Sequence, residues 1–449
     1  MKMFKNILIA GWILILAGQA GAQNTYQFSL QEAIDYAMEN NYDVIYSEKN
    51  IEAAKQQMRE ATSFGLPQID GSVDYTDNIA RPTSLIPGDF IGQPGEEIEI
   101  KFGTKYSANA GLYASQLLFS GKYIVGLQTA KIFMEKANVD FFKDKVAVKQ
   151  QVANAYYNVL SAEEALWVID TTLSVTQKLA EETRLTYEVG FAEDIDVDQL
   201  ELLVADLEAS KVYLENQLGI TQAFLKFYLG LGDQDTVILE DNITELVDSR
   251  QSTSIVNQPF DYYDNVDYVS LSKQKEISYM QVKLEKTNYM PSLNATINLM
   301  TNAQRNEWDF FDSKGKWYTS SAFGVSLLVP IWSSGQRNAK VKQAQIAYEQ
   351  VNVMEDQLIT TLKLQFQTAR NEYLNAYTVY ENKEKARKVA EKIFNTTSIK
   401  FTEGMASSLD ILNTQNQFLT SEQDYINAAL SLLKAGEELE KLLTKSIKP

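Results

Sequence analysis

The sequence predicts an α+β chain built as two tandem repeats, each a β-hairpin joined to long coiled-coil α-helices. Three observations predict it. Gly121, in Leu117-Leu118-Phe119-Ser120-Gly121, recurs 214 residues later as Gly335, in Ile331-Trp332-Ser333-Ser334-Gly335, and Gly190 recurs at the same offset as Gly404. Two motif pairs at one offset mean that long stretches of equal length are held in register, as a duplicated rigid element requires. Each half also holds two segments whose apolar residues alternate with polar ones, the period of a strand. Finally, the run from Gln336 to Glu403 has neither Gly nor Pro, and the run after Gly126 has none until Gly190.

The elements follow in order. Ser29 with Glu32 three residues on is a capping-box pattern, and Leu30, Ala33, Ile34, Ala37 and Met38 carry helical period to about Phe64, where Gly65 and Pro67 stop it. A first strand is predicted over about 68–80, with Ile69, Gly71, Val73 and Tyr75 on one face and Gln68, Asp70, Ser72 and Asp74 on the other. Residues 81–101 contain Pro82, Pro87 and Pro94 and read as an exposed loop, followed by a second strand over about 102–119. From Gly121 the chain turns helical, and Ile132, Val139, Phe142, Val146, Ala153, Tyr156 and Leu160 form a heptad seam. A helix of that length reaches roughly 100 Å at about 1.5 Å per residue. Gly190 breaks it, Asp194 is the expected N-cap, and a second helix returns to about Leu229. The polar stretch 233–261 reads as the connection between repeats.

The second half replays this order. A helix over about 266–288 meets Pro291, strands are predicted over about 292–302 and 318–329, and Ala344, Tyr348, Val351, Leu358 and Leu362 resume heptad spacing. Gly404 turns the chain, Ser408 is the expected cap, and a last helix runs to about Leu443. Residues 23–245 and 246–449 are thus the two repeats. The hairpins differ in length, Pro67 to Gly121 being 54 residues and Pro291 to Gly335 being 44, because loops tolerate insertion and packed helices do not.

Composition bounds the chemistry. Residues 1–22 read as a secretory signal peptide: Lys2 and Lys5, an apolar run from Ile7 to Ala17, then Ala20-Gly21-Ala22 as a cleavage site. The apolar run is shorter than the ~20 residues a spanning helix needs, and no later segment reaches that length, so membrane insertion would have to use strands. The chain has no cysteine and no histidine, which removes disulfides, the commonest metal ligands and the commonest general base. No catalytic, cofactor-binding or metal-binding constellation is found, and the net charge of -18 argues against nucleic acid as a partner.

Four strands cannot close a barrel, and a sheet in lipid cannot leave its edges unpaired, so a membrane reading requires copies of the same chain. Two copies give eight strands, a barrel filled by side chains, whereas three give twelve, enough for an open lumen. A soluble antiparallel sheet packed on one face shows the same alternation and stays open at this point.

The residues that carry a resemblance are the helix-to-strand junctions Leu66-Pro67-Gln68-Ile69 and Met290-Pro291-Ser292-Leu293, the strand-to-helix junctions ending in Gly121 and Gly335, and the turn Gly404-Met405-Ala406-Ser407-Ser408-Leu409-Asp410. In this order, over nearly the whole mature chain, they resemble the TolC family of bacterial outer-membrane channel proteins. The resemblance implies an α+β membrane protein, a homotrimer whose twelve-stranded β-barrel in outer-membrane lipid is continued by a long α-helical periplasmic tunnel. It implies the exit channel of a tripartite efflux pump or type I secretion system, with a periplasmic adaptor (membrane fusion) protein and an inner-membrane transporter as partners, and no enzyme activity or cofactor.

The resemblance also makes Val189, Gly190, Phe191, Gly404 and Met405 candidates for adaptor docking, beside the plain reading that the glycines serve tight helix turns. It places Asp196, Asp410 and Asn413 near the periplasmic aperture, where carboxylates repeated by threefold symmetry form a ring that concentrates cations. Acidic residues in a first helical turn also simply oppose the helix dipole. Two departures weaken a gate held by an ion pair: Ala406 stands where some members carry arginine, and Asn413 where a second acid would follow Asp410. The competing reading is an exported coiled-coil scaffold or adaptor without a pore.

Overall fold

The computed structural model describes residues 24–87, 92, 97–250, 255–313 and 315–445. The predicted signal segment, residues 1–22, lies outside the described residues. In chain order the elements are β1 (Thr25–Phe28), α1 (Leu30–Asn40), α2 (Tyr42–Ser63), β2 (Gln68–Asp77), β3 (Thr83–Pro87), β4 (Glu97–Lys101), β5 (Tyr106–Ser120), α3 (Gly121–Glu188) and α4 (Asp194–Leu229). There follow β6 (Thr236–Leu239), α5 (Ile243–Arg250), α6 (Val266–Lys286), β7 (Ser292–Arg305), β8 (Tyr318–Leu328), α7 (Gln336–Thr402) and α8 (Ser408–Leu443). The duplication is metric: α3 and α7 have 68 and 67 residues, and α4 and α8 have 36 each. Among the described residues no helix is long and apolar enough to cross a membrane.

The chain forms two compact units, each taking segments from both halves: a helical unit up to Ile51 with Ala137–Leu271 and everything from Glu355, and a strand unit of Glu52–Lys136 and Ser272–Met354. The helical unit holds the main core. The predicted seam is seen there, with Val139, Val146, Ala153, Tyr156 and Leu160 of α3 all buried. Tyr157, also on α3, donates its buried hydroxyl to Glu437 of α8 at 2.8 Å, so helices from the two repeats are joined by a buried hydrogen bond.

Two local expectations change in this unit. The helix expected to run unbroken from Ser29 to Phe64 is two helices, because Asn41 leaves helical geometry. Its buried side chain accepts the Asp43 N–H at 2.8 Å and donates to the Tyr228 carbonyl at 2.7 Å. An asparagine that offers the backbone another partner interrupts a helix although the apolar period continues through it. The stretch 233–261 is more ordered than a connection: β6 pairs in parallel with β1, from Thr25↔Thr236 to Phe28↔Leu239, and α5 follows. Asp241 then accepts the Leu30 N–H and the buried Tyr156 hydroxyl, each at 2.7 Å. Burial and that carboxylate push the Tyr156 phenol well above its ordinary pKa, so it remains a donor.

The strand unit contains one four-stranded antiparallel sheet in the order β2-β5-β7-β8. The register aligns the alternation across every pair. Ile69 faces Ala114, Leu112 faces Leu299, Ile297 faces Phe323 and Leu293 faces Leu327, which makes one face apolar. On the other, Asp74 faces Asn109, Ser115 faces Thr296 and Asn294 faces Ser326. Apolar side chains are open rather than packed: Val73 is 82% exposed and Phe323 71%. A sheet packed on one face, the soluble alternative, would bury them. The loop expected over 81–101 contains a small hairpin, β3 with β4, in which Ile86 pairs with Ile98. The ladder runs from Thr83↔Lys101 to Pro87↔Glu97; residues 88–91 and 93–96 of the loop lie outside the described residues.

One junction in the helical unit tests this packing. Gly230 ends α4 with φ 75°, and a Cβ there would lie 2.2 Å from the Asn40 carbonyl oxygen, an atom fixed by the α1 end. Gly230→Ala is expected to destabilise the helical unit by ~1–3 kcal/mol, from the left-handed backbone and the clash together. A thermal unfolding midpoint equal to wild type in detergent would contradict this.

Candidate functional site

Within the helical unit the α3–α4 and α7–α8 connections are built alike. At the first, the Gly190 N–H donates to the Tyr187 carbonyl at 2.9 Å and the Phe191 N–H to Thr186 at 3.0 Å. At the second, Gly404 donates to Phe401 at 2.9 Å and Met405 to Lys400 at 2.7 Å. Both glycines have positive φ, 83° and 72°. These paired bonds are the Schellman closure of a helix, so the recurrent glycines have a complete backbone explanation.

The caps of the returning helices differ from expectation. Glu193, not Asp194, precedes α4, and the Asp196 carboxylate accepts the Glu193 N–H at 3.3 Å. Ser407, not Ser408, caps α8: its hydroxyl accepts the Asp410 N–H at 3.2 Å, while Asp410 accepts the Ser407 N–H at 2.9 Å. The reason is reach, since a carboxylate three residues into the helix can return to the cap only from Asp196 and Asp410. The Ser407 backbone and hydroxyl bonds hold the Asp410 carboxyl below the usual carboxylate range.

Ser408, free of that duty, is buried and joins the two turns. Its hydroxyl donates to the Asp196 carboxylate and lies 2.8 Å from Gln199 Oε1. A hydroxyl has one hydrogen, so both contacts are satisfied when the Gln199 amide presents its NH2 to Ser408. Behind this contact Leu179, Leu200, Leu203 and Ile411 form a small buried cluster. Farther along, Thr176 Oγ1 lies 2.9 Å from the buried Gln415 amide. The Ser408 contact was not legible in the sequence, because nothing local links residues 212 positions apart.

The remaining predicted residues lie on the surface of the turns. Phe191 is 86% exposed, Met405 70% and Val189 68%, with Ile195 and Leu409 exposed beside them. Asp410 and Asn413 are exposed, whereas Asp196 is half-buried against Ser408. Among the described residues no cluster of acidic side chains could hold a metal ion.

A four-stranded sheet with open edges, one apolar face and one polar face, on a chain whose helical hairpins match in length to within one residue, defines the subunit of a membrane channel. The comparisons agree. The profile of the outer membrane efflux protein family matches residues 33–231 and 276–445. The outer membrane protein TolC of Vibrio cholerae is 20% identical over 434 residues, covering 95% of this chain and 92% of that protein. The probable efflux pump outer membrane protein TtgC of Pseudomonas putida is 23% identical over 441 residues, covering 95% of this chain and 85% of its own. In fold, the chain is similar to the Campylobacter jejuni CmeC outer membrane channel, with TM-score 0.70, 17% identity, and 92% and 85% of the two chains covered. It is likewise similar to VceC from Vibrio cholerae, with TM-score 0.67, 15% identity, and 93% and 97% covered. The chain belongs to the outer membrane efflux protein family, a family of channel proteins of the bacterial outer membrane. That membership sets aside the poreless scaffold.

The cap at Asp410 yields a pH signature. Its carboxyl is held low in the folded chain, so the stabilisation is complete above the unfolded carboxyl's pKa and is lost as pH falls through the folded value. Ser407→Ala is expected to lower the unfolding midpoint at neutral pH, with the deficit shrinking on acidification. A deficit that stays constant down to full protonation would mean the carboxylate plays no part.

Proposed function

We propose that the chain works as a homotrimer whose twelve strands close one barrel in outer-membrane lipid, continued by an α-helical periplasmic tunnel, as the exit channel of a tripartite efflux pump or type I secretion system. The two sequence repeats, residues 23–245 and 246–449, each supply one strand hairpin and one helical hairpin to that tube. The observation that carries the reading is the sheet: β2 and β8 are unpaired edges, exposed along their whole length. In hydrocarbon each unsatisfied backbone group costs several kcal/mol, so β8 of one copy must pair with β2 of the next. Closure by two copies leaves a side-chain-filled barrel and closure by three an open lumen.

At the helical turns the exposed Val189, Phe191 and Met405, with Gly190 and Gly404 setting the backbone, form the surface for a periplasmic adaptor protein, which links the channel to an inner-membrane transporter. An aromatic and two aliphatic side chains on rigid turns are the anchors such an interface uses. Asp410 provides the charge at the aperture, with Asn413 a neutral neighbour one turn on. Capping and charge are compatible, because the bonds from Ser407 keep the carboxyl ionised. Asp196 has a different duty in this scheme: its link to Ser408 holds the two helical hairpins of one protomer together. With Ala406 in place of a cation at the second turn, that hydrogen bond and the leucine cluster restrain the turns.

Two measurements test this. The chain has no native cysteine, so Ile69→Cys combined with Leu327→Cys is expected, on oxidation in membranes, to give covalent trimers by denaturing electrophoresis. Monomers alone would reject the β8–β2 closure. In planar bilayers Asp410→Ala is expected to reduce cation over anion selectivity several-fold with conductance retained. Unchanged selectivity would remove Asp410 from the aperture.

A further inference from the structure

Midway along α8, Glu422 is only 3% exposed, and it lies beside a cavity of about 650 Å³ bordered by α3, α4 and α8. Its carboxylate is half engaged. Oε1 lies 3.6 Å from Arg387 Nη1 of α7, a loose contact, and Oε2 has no hydrogen-bond partner. Across this contact the Arg387 Nε is equally without a hydrogen-bond partner. A carboxylate that has left water without gaining hydrogen bonds is costly in its charged form, whereas the neutral acid in the same place costs far less.

The charges that face Glu422 do not make up for this. Glu391 of α7 and Glu164 of α3 repel the same carboxylate that Arg387 attracts, so one cation stands against two like charges. Asp424, the neighbouring acid on α8, is taken by Lys383 at 2.7 Å. From α4 the cavity receives Ser210 and the phenol of Tyr213 and, among the described lining residues, no charged one. Arg387 has support of its own, because its guanidinium stacks over the Tyr425 ring at 4.5 Å. Burial, opposed by Arg387 and aided by Glu391 and Glu164, raises the Glu422 carboxyl above the usual carboxylate range.

We propose that Glu422 is a proton-operated latch: when it takes up a proton the middle of α8 is held more firmly against α3 and α7, and when it loses the proton this stretch opens more readily. The cavity beside it leaves room for that motion. Because Oε2 is out of reach of solvent, the proton enters and leaves during the openings themselves. The folded carboxyl's pKa lies above the unfolded one's, so the penalty on the closed latch is full above the folded value and gone below the unfolded one. The device works inside the helical unit of one chain and does not rest on the channel reading.

Hydrogen–deuterium exchange of the detergent-purified full-length protein, read on peptides between Gln415 and Ala428, tests it. Glu422→Gln removes the charge and keeps the shape, while Glu422→Met removes the polar atoms as well. At mildly alkaline pH both variants are expected to open ~5- to 30-fold less often than wild type, the range that a buried unpaired polar group implies. Comparing the chains at each pH cancels the pH dependence of exchange itself. As pH falls the gap is expected to close, with wild type gaining protection until it matches the variants, a pH profile that a merely structural carboxylate would not produce. The proposal is overturned if neither variant is better protected than wild type at mildly alkaline pH, as when the Arg387 contact outweighs burial, or if the gap persists in acid.

Discussion

The rest of the structure depends on one constraint: every backbone N–H and C=O in a lipid environment must find a protein partner. A single chain of this protein supplies a sheet that meets this in its middle and fails at both edges. β5 and β7 are paired on both sides, while β2 and β8 each keep one row of groups open. The same sheet turns apolar side chains to one face and Asn, Ser, Thr and Asp to the other. The chain therefore has a complete membrane surface and an incomplete hydrogen-bond ladder. Assembly with further copies resolves the second without altering the first.

Length is the other side of that constraint. If several helical hairpins are to close one tube, they must share a single length, and the duplication supplies it: 68 and 67 residues outward, 36 and 36 back. Both turns end by the same glycine closure and both returning helices draw a carboxylate back to the cap. Variation is confined to the places that carry no shared load. The first hairpin holds the additional β3–β4 ladder in its loop, and the second replaces it with a shorter loop in which Phe310 packs on Tyr75 and Trp317.

Polar groups inside the helical unit mark where packing alone does not determine the arrangement. Tyr157 with Glu437 and Tyr156 with Asp241 are fully paired and fix helices in rotation and register. Ser408 with Asp196 joins the two turns beside the small cluster of Leu179, Leu200, Leu203 and Ile411. Glu422 differs from all of these, having burial without complete pairing.

The sequence alone determined the order of the long helices and of the four strands of the main sheet, the duplication, the strand faces and the heptad seams, because each follows from a local period or a fixed offset. Its strand limits for β7 and β8 lie within a few residues of those observed, and the seam from Val139 to Leu160 is buried as its spacing requires. The glycine turns were equally legible, since only positive φ explains them. What the tertiary structure decided has in common that the partners are distant in the chain. The pairing of β1 with β6, the interruption at Asn41 enforced by Tyr228, and the change of Ser408 from expected cap to bridge all join segments with no local signal between them. A period reveals which face a residue is on; only the folded chain brings the group it meets on that face.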